Sequence, residues 1–372
     1  MCRISICTIV AGLVFMFMMS CSDNSNPAVN PQGGTPLLAV ITIASDYSAG
    51  NFDIVLSDSS VSPNLIDGLH TDLAVRAFGS GVYIIERLGR DNIIKYDTKQ
   101  MKIAYQQNLG AGLNLHDIAV VSEAKAYVSA YEDNNLIIFN PSAGAKTSTV
   151  DMSRFVAYAG TDSAEAVPYV SSLALYGSYL YAACQRLKIA EGAWGPAPEP
   201  GDTSVIAVID TRSDEITGQV KLNKKNPASI AVFGNRMIVA STGSWFDITS
   251  GGVETIDLSS NVNLGVIAEG AALGGSVSGA AFVSANTAYI SVMRDDWTTG
   301  IVQFNPVTGT IGAAVAGIED GSGGMAFDGD KLYVGDRGFA SAGVAVVNPS
   351  TGTVERLIPT SMPPAGLAVT GK

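Results

Sequence analysis

Ile301-Val-Gln-Phe-Asn305-Pro-Val-Thr-Gly309-Thr-Ile311 returns, barely altered, as Val344-Ala-Val-Val-Asn348-Pro-Ser-Thr-Gly352-Thr-Val354. Shorter copies are Leu136-Ile-Ile-Phe-Asn140-Pro-Ser-Ala-Gly144, Val205-Ile-Ala-Val-Ile-Asp210, Ile93-Ile-Lys-Tyr-Asp97 and Val253-Glu-Thr-Ile-Asp257. Phe52-Asp-Ile-Val-Leu-Ser-Asp58 is a degraded seventh. In each, an apolar run meets Asn or Asp and then a turn. The Asn or Asp side chain caps the turn, Pro pre-sets φ and Gly supplies a positive φ. From Asp58 to Asn348 the spacings are 39, 43, 70, 47, 48 and 43 residues. Short strands repeating at about 45 residues specify an all-β fold, a β-propeller.

Each repeat holds further strands. In the second, residues 117–121, 125–130, 134–139 and 145–150 form apolar runs separated by turn residues, read as strands A to D. Strand A recurs as Leu73-Ala-Val75, Ile118-Ala-Val120, Leu173-Ala-Leu175, Ile230-Ala-Val232, Ala280-Ala-Phe282, Met325-Ala-Phe327 and Leu367-Ala-Val369. A central Ala suits inner strands crowding round an axis. Strand B carries Tyr83, Tyr127, Tyr181, Tyr289 and Tyr333, with Ile238 in the fourth repeat. The last strand A has no B, C or D behind it. Residues 37–45, 51–57 and a weak run at 60–65 supply them, so a seventh blade joins both chain ends and leaves no open edge. Seven blades are expected. Six or eight are alternatives, because the 70-residue spacing has room for irregular strands. Its excess is assigned to loops at 151–167 and 188–202, the second holding Pro196, Pro198 and Pro200.

Of the 372 residues, 47% are hydrophobic and 15% charged, ample for a core built blade on blade. The net charge is −12, with no run of Lys or Arg. No basic patch offsets phosphates, so nucleic acid is excluded as a partner. An acidic surface keeps an exported monomer dispersed.

Arg3 precedes a mostly apolar stretch over residues 4–19. That is short for a spanning helix, which needs about 20 residues, and fits a signal peptide. Phe17-Met-Met-Ser20-Cys21 resembles the bacterial lipoprotein signal, in which a small residue precedes the cysteine that is lipidated. Met18 and Met19 depart from its usual residues. The resemblance implies lipid on Cys21, and Ser22 favours the outer membrane or cell surface over the inner membrane. The expected organisation is a signal at 1–20, a tether at 21–36 rich in Asn, Pro and Gly, and the propeller at 37–372. Of Cys2, Cys7, Cys21 and Cys184, only Cys184 lies in the folded domain, so no disulfide forms there. Its apolar strand suggests a buried, inert thiol.

Ser204-Val-Ile-Ala-Val-Ile-Asp210, Gly218-Gln-Val-Lys-Leu222 and Asn226-Pro-Ala-Ser-Ile-Ala-Val232 are similar to YVTN-type propeller repeats of bacterial and archaeal surface proteins. Tyr127-Val-Ser-Ala130 and Tyr333-Val-Gly-Asp336 stand at the naming tetrapeptide. The resemblance spans residues 37–372. It implies an exported or surface-attached propeller and carries no catalytic residues.

Function must then lie in loops. The B–C and D–A loops gather round one mouth of the channel. All three tryptophans, Trp194, Trp245 and Trp297, fall in B–C loops, and charged residues recur at the ends of strand B. Arg87, Arg186, Arg294, Asp295, Asp336 and Arg337 complete the expected ligand face. Rings give contact area at low entropy cost, and Arg and Asp orient a protein or glycan partner. The bland alternative is that each Trp covers its own loop. His70 and His116 precede strand A in adjacent blades, beside Asp72 and Asp117. They are weak candidates for a metal- or His-based hydrolase or lyase site, against a turn role like that of Pro227 and Pro364. Glu132-Asp-Asn-Asn135 and Glu319-Asp320 lack the spaced ligands of a calcium loop, so Ca²⁺ is weakly indicated and no cofactor is expected. No Gly-x-Ser-x-Gly elbow, phosphate loop or haem motif occurs.

Overall fold

The computed structural model describes residues 34–157, 167–192, 195–201 and 203–371. The proposed signal and Cys21 lie outside them. Seven four-stranded antiparallel sheets form a ring among the described residues. Strands β1 (Pro36–Ile43), β2 (Gly50–Leu56) and β3 (Val61–Leu69) come first and belong to the last blade. Blade 1 is β4 (Leu73–Phe78), β5 (Gly81–Glu86), β6 (Asn92–Asp97) and β7 (Lys102–Asn108). Blade 2 is β8 (Leu115–Ser122), β9 (Lys125–Ala130), β10 (Asn135–Asn140) and β11 (Ala145–Asp151). Blade 3 is β12 (Val170–Tyr176), β13 (Tyr179–Cys184), β16 (Val205–Asp210) and β17 (Glu215–Lys221). It is interrupted by a hairpin of β14 (Leu187–Gly192) and β15 (Gly195–Pro200). Blade 4 is β18 (Pro227–Phe233), β19 (Arg236–Ser241), β20 (Gly252–Asp257) and β21 (Val262–Glu269). Blade 5 is β22 (Ser276–Ser284), β23 (Thr287–Met293), β24 (Thr299–Phe304) and β25 (Ile311–Ala314). Blade 6 is β26 (Met325–Phe327), β27 (Leu332–Asp336), β28 (Gly343–Asn348) and β29 (Thr353–Pro359). β30 (Pro364–Val369) then pairs with β1, and the two chain ends close blade 7.

The repeated phrase is the C–D turn. Asn305 Oδ1 accepts the N–H of Val307 at 2.8 Å and of Thr308 at 3.0 Å, and Gly309 takes φ +73°. Asn140 and Asn348 cap their turns alike. Met101, Asp214 and Asn261 hold the same left-handed position without glycine. Three of the strand-B tyrosines reach from one blade into the next at these turns. Tyr181 donates to Asn261 Oδ1 at 2.8 Å, Tyr289 to the Pro349 carbonyl at 3.1 Å, and Tyr127 to Asp214. Tyrosine and turn are thus two halves of one joint. The apolar residues divide into seven clusters, each straddling one seam between consecutive blades.

Two expectations are corrected. The 188–202 segment is a hairpin, not a loop. Pro196, Pro198 and Pro200 occupy alternate positions of β15, so their missing N–H groups share one edge and cost no ladder bonds. The strand-A alignment of blade 1 also shifts. Ala119, Ala174, Ala281 and Ala326 each pair with a strand-B tyrosine, and in blade 1 the residue opposite Tyr83 is Arg76, not Ala74. One ring position held elsewhere by alanine is therefore an arginine.

Candidate functional site

In a four-stranded meander the A–B and C–D turns share one end, and the B–C and D–A loops share the other. At that second end the channel opens into a cavity of about 500 Å³. Strand A shifts register near its start in five blades, with Leu115/Asp117, Val170/Ser172, Pro227/Ser229, Val277/Gly279 and Ile41/Thr42 flanking the shifts. A bulge re-aims a side chain, and His116, Ser171, Ala228, Ser278 and Ala365 at these shifts line the cavity.

A polar chain crosses four blades at the mouth. Arg87 of blade 1 donates through Nη2 to His116 Nε2 at 2.7 Å, and its Nε lies 3.3 Å from Asp72 Oδ1. The His116 ring stacks on Tyr131 with centroids 3.8 Å apart and planes 4° from parallel. Tyr131 donates to Gln185 Oε1, whose amide donates to the Pro227 carbonyl at 3.1 Å. Burial, and then the Arg87 charge, push the His116 pKa down to about 2. The ring is neutral at pH 7, with Nε2 accepting from Arg87. That arrangement orients Arg87 and leaves no free basic nitrogen at Nε2 for proton abstraction. Beside it, Arg76 donates to Asp117 through Nε at 2.9 Å and Nη2 at 3.0 Å. Asp117 also takes the Leu173 N–H at 2.9 Å, clasping blades 1, 2 and 3 together.

Beneath the loops lies a regularity the sequence did not announce. Five of the D–A loops are each held by a carboxylate no more than 4% exposed: Asp53, Glu86, Asp91, Glu254 and Asp336. Glu254 accepts the Asn223 N–H at 2.8 Å, the Lys224 N–H at 2.5 Å, and the amides of Asn223 and Asn263. Asp336 accepts the N–H groups of Glu319, Asp320 and Gly338. Glu86 takes that of His70, Asp91 those of Gly112 and Leu113, and Asp53 that of Ser361. A buried charge is tolerated when its lone pairs meet such donors.

Above them the loops present apolar side chains. Among the described residues the six most exposed large hydrophobic side chains are those of Phe339, Trp297, Tyr47, Leu88, Phe246 and Trp245, from 104% down to 52% exposed. All six lie in B–C loops, spread over blades 1, 4, 5, 6 and 7. Four B–C loops share a turn that sequence reading missed, Asp-x-Ser/Thr/Asn. Asp46, Asp133, Asp247 and Asp296 each accept the N–H two residues on through Oδ1. In two of them the middle residue is an exposed ring held left-handed, Tyr47 at φ +57° and Trp297 at φ +66°.

The expected face is thus partly assembled. Trp245, Trp297, Arg294 and Asp295 are exposed on it, and Arg87 lines the mouth. Arg337 lies with its guanidinium 5.9 Å from the Tyr47 ring centre and donates to the Pro364 carbonyl. Trp194 lies outside the described residues. Asp336 is no part of the face, being buried under its loop. Arg186 is an internal fastener, donating to the carbonyls of Phe155 and Thr203. The histidines part company as well. His116 lines the cavity, whereas His70 Nδ1 accepts the Asp72 N–H at 3.1 Å and caps its own turn. Among the described residues no three His, Cys, Asp or Glu side chains converge to hold a metal. Glu132 accepts from Asn114, and Glu319 from the Ala340 N–H. Cys184 is fully buried, and burial pushes its thiol up to about 12. No described helix is long and apolar enough to cross a membrane.

No protein-family profile and no curated protein matches the sequence. Among solved structures, hydrazine synthase from Kuenenia stuttgartiensis is similar, with a TM-score of 0.61 at 14% identity over 79% of this chain and 88% of that one. A computationally designed protein, Ika8, is similar with a TM-score of 0.50 at 11% identity, over 77% of this chain and 75% of that one. At such identities the likeness is one of fold. The chain is a seven-bladed propeller, an architecture compatible with a binding or scaffold module.

Proposed function

We propose that this chain is an envelope-anchored binding module that captures a protein partner on its B–C loops. One observation carries the reading: among the described residues the six most exposed large apolar side chains all belong to that one set of loops. Scattered apolar residues need no explanation, but a set confined to one face does. The mixture of Leu88, Phe246 and Phe339 with Trp and Tyr favours a protein surface over a glycan. The Ser20-Cys21 pair and the polar segment behind it support a lipid anchor, and the repeat supports kinship with exported YVTN-type propellers.

The test replaces Trp245, Trp297 and Phe339 together by Ala and compares capture from native envelopes. Capture should be lost while the unfolding midpoint stays near that of the parent. A triple variant as destabilised as a core variant would make the rings structural and end the reading. Retention by a glycan array alone would move the partner to carbohydrate. Separately, Cys21→Ser should move the protein from the membrane pellet to the soluble exported fraction.

A further inference from the structure

We propose that the mouth of the central channel binds a small organic carboxylate, with its charge on Arg87 and Arg76 and its aliphatic body against blades 1, 6 and 7. This does not depend on the rim. The cavity, at about 500 Å³, falls in the range of small-molecule sites. In a chain of net charge −12, the only charged residues lining it among the described residues are Arg76 and Arg87, the second also 3.3 Å from Asp72. Asp117, which pairs with Arg76, is 1% exposed and sits behind the lining.

Hydroxyls point the same way. Ser229, Ser278, Ser291 and Ser322 line the cavity, and among the described residues none of their hydroxyls has a hydrogen-bond partner. Ser291 is 6% exposed. A cavity-lining hydroxyl with no protein partner is free to donate to an acceptor in the space before it. The facing wall is different: half-buried Met325 and Ala365 are apolar, and Leu73, Val75 and Leu367 there are buried in the seams between blades. Inorganic phosphate would leave that wall facing water. A short aliphatic acid satisfies both sides. Arg87 is pre-set for the task, because the 2.7 Å bond to His116 fixes its guanidinium and an ordered fork loses little entropy on binding a carboxylate.

The carboxylate can come from a free acid or from the C-terminus of a peptide. Calorimetry on the purified chain distinguishes them with hexanoate, hexanamide, inorganic phosphate, and a leucine-ended tripeptide with free or amidated C-terminus. Hexanoate or the free-ended peptide should saturate below about 10 mM, and their amides should not bind. The tighter of the two names the source. Arg87→Gln should weaken binding about tenfold or more. Ser278→Asp adds a like charge at an exposed lining position and should abolish binding without unfolding the chain. The proposal is overturned if neither carboxylate saturates, if acid and amide bind alike, if phosphate binds as well as hexanoate, or if Ser278→Asp binds as the parent does.

Discussion

The two ends of the ring are built on opposite plans. At the end bearing the A–B and C–D turns, each turn satisfies itself. Asn305 and its counterparts cap their own N–H groups, and the preceding blade's tyrosine seals the joint in three of the seams. Local self-sufficiency is why that phrase repeats. At the other end the D–A loops differ in length and sequence, and five are held from beneath by a buried carboxylate, four supplied by blade strands and one, Asp91, by a B–C loop. Support that comes from below leaves the upper side chains unconstrained by folding. An irregular surface is thereby made rigid, which is what a binding face requires.

The contrast breaks most visibly if a carboxylate beneath a loop is removed. Glu254→Ala strands four N–H donors of Asn223, Lys224 and Asn263, and should cost about 3–5 kcal/mol in urea unfolding. A loss under about 1 kcal/mol would mean water replaces the carboxylate and the loops are not braced from below. Next in size is an acid sensitivity at the mouth. His116 is held neutral, its folded pKa lowered from the ordinary 6.5 to about 2. Above 6.5 it contributes no pH dependence. Below it the unfolded chain takes up a proton that the folded chain refuses, so stability falls as pH falls, by about 1.4 kcal/mol per unit. His116→Gln should remove about 2–3 kcal/mol of the loss between pH 6.5 and 4.5. Equal acid slopes in parent and variant would refute the neutral ring. At the opposite end, Asn305→Ala removes a cap on Val307 and Thr308, for about 1 kcal/mol, and should leave partner capture untouched.

The blade count and its closure by both termini were legible because they rest on local signals repeated along the chain: apolar runs, Asx-Pro and Gly turns, and Tyr in strand B. What was not legible depends on partners distant in sequence. Asp336 and Asp295 both follow a strand-B run, yet one is buried beneath a loop and the other exposed. The difference lies in N–H groups 16 and 17 residues upstream of Asp336. Arg76 was hidden by a two-residue slip in an apolar strand, where Leu73-Ala-Val75 mimics the repeat so well that only the pairing register exposes it. The prolines at 196, 198 and 200 read as strand breakers because edge position cannot be seen in one dimension. The B–C turns were missed because Asp-x-Ser/Thr/Asn is short, and its middle residue, Tyr47 or Trp297, drew attention as a ring and not as a backbone conformation.

That conformation provides the finest test of the contrast. Trp297 sits at φ +66° and is 71% exposed, between Asp296 and a Thr298 whose N–H and hydroxyl both donate to Asp296 Oδ1. The left-handed region costs an L-residue with a bulky side chain about 1–2 kcal/mol, and an exposed ring returns little of that through burial. Asparagine tolerates the same angles. Trp297→Asn should therefore stabilise the fold by about 0.5–1 kcal/mol while weakening partner capture about tenfold or more. Opposite signs in the two measurements are the mark of a side chain kept for binding at the expense of folding. A variant that loses stability would show the ring packed on its loop, and the two ends of the propeller would then differ in sequence alone.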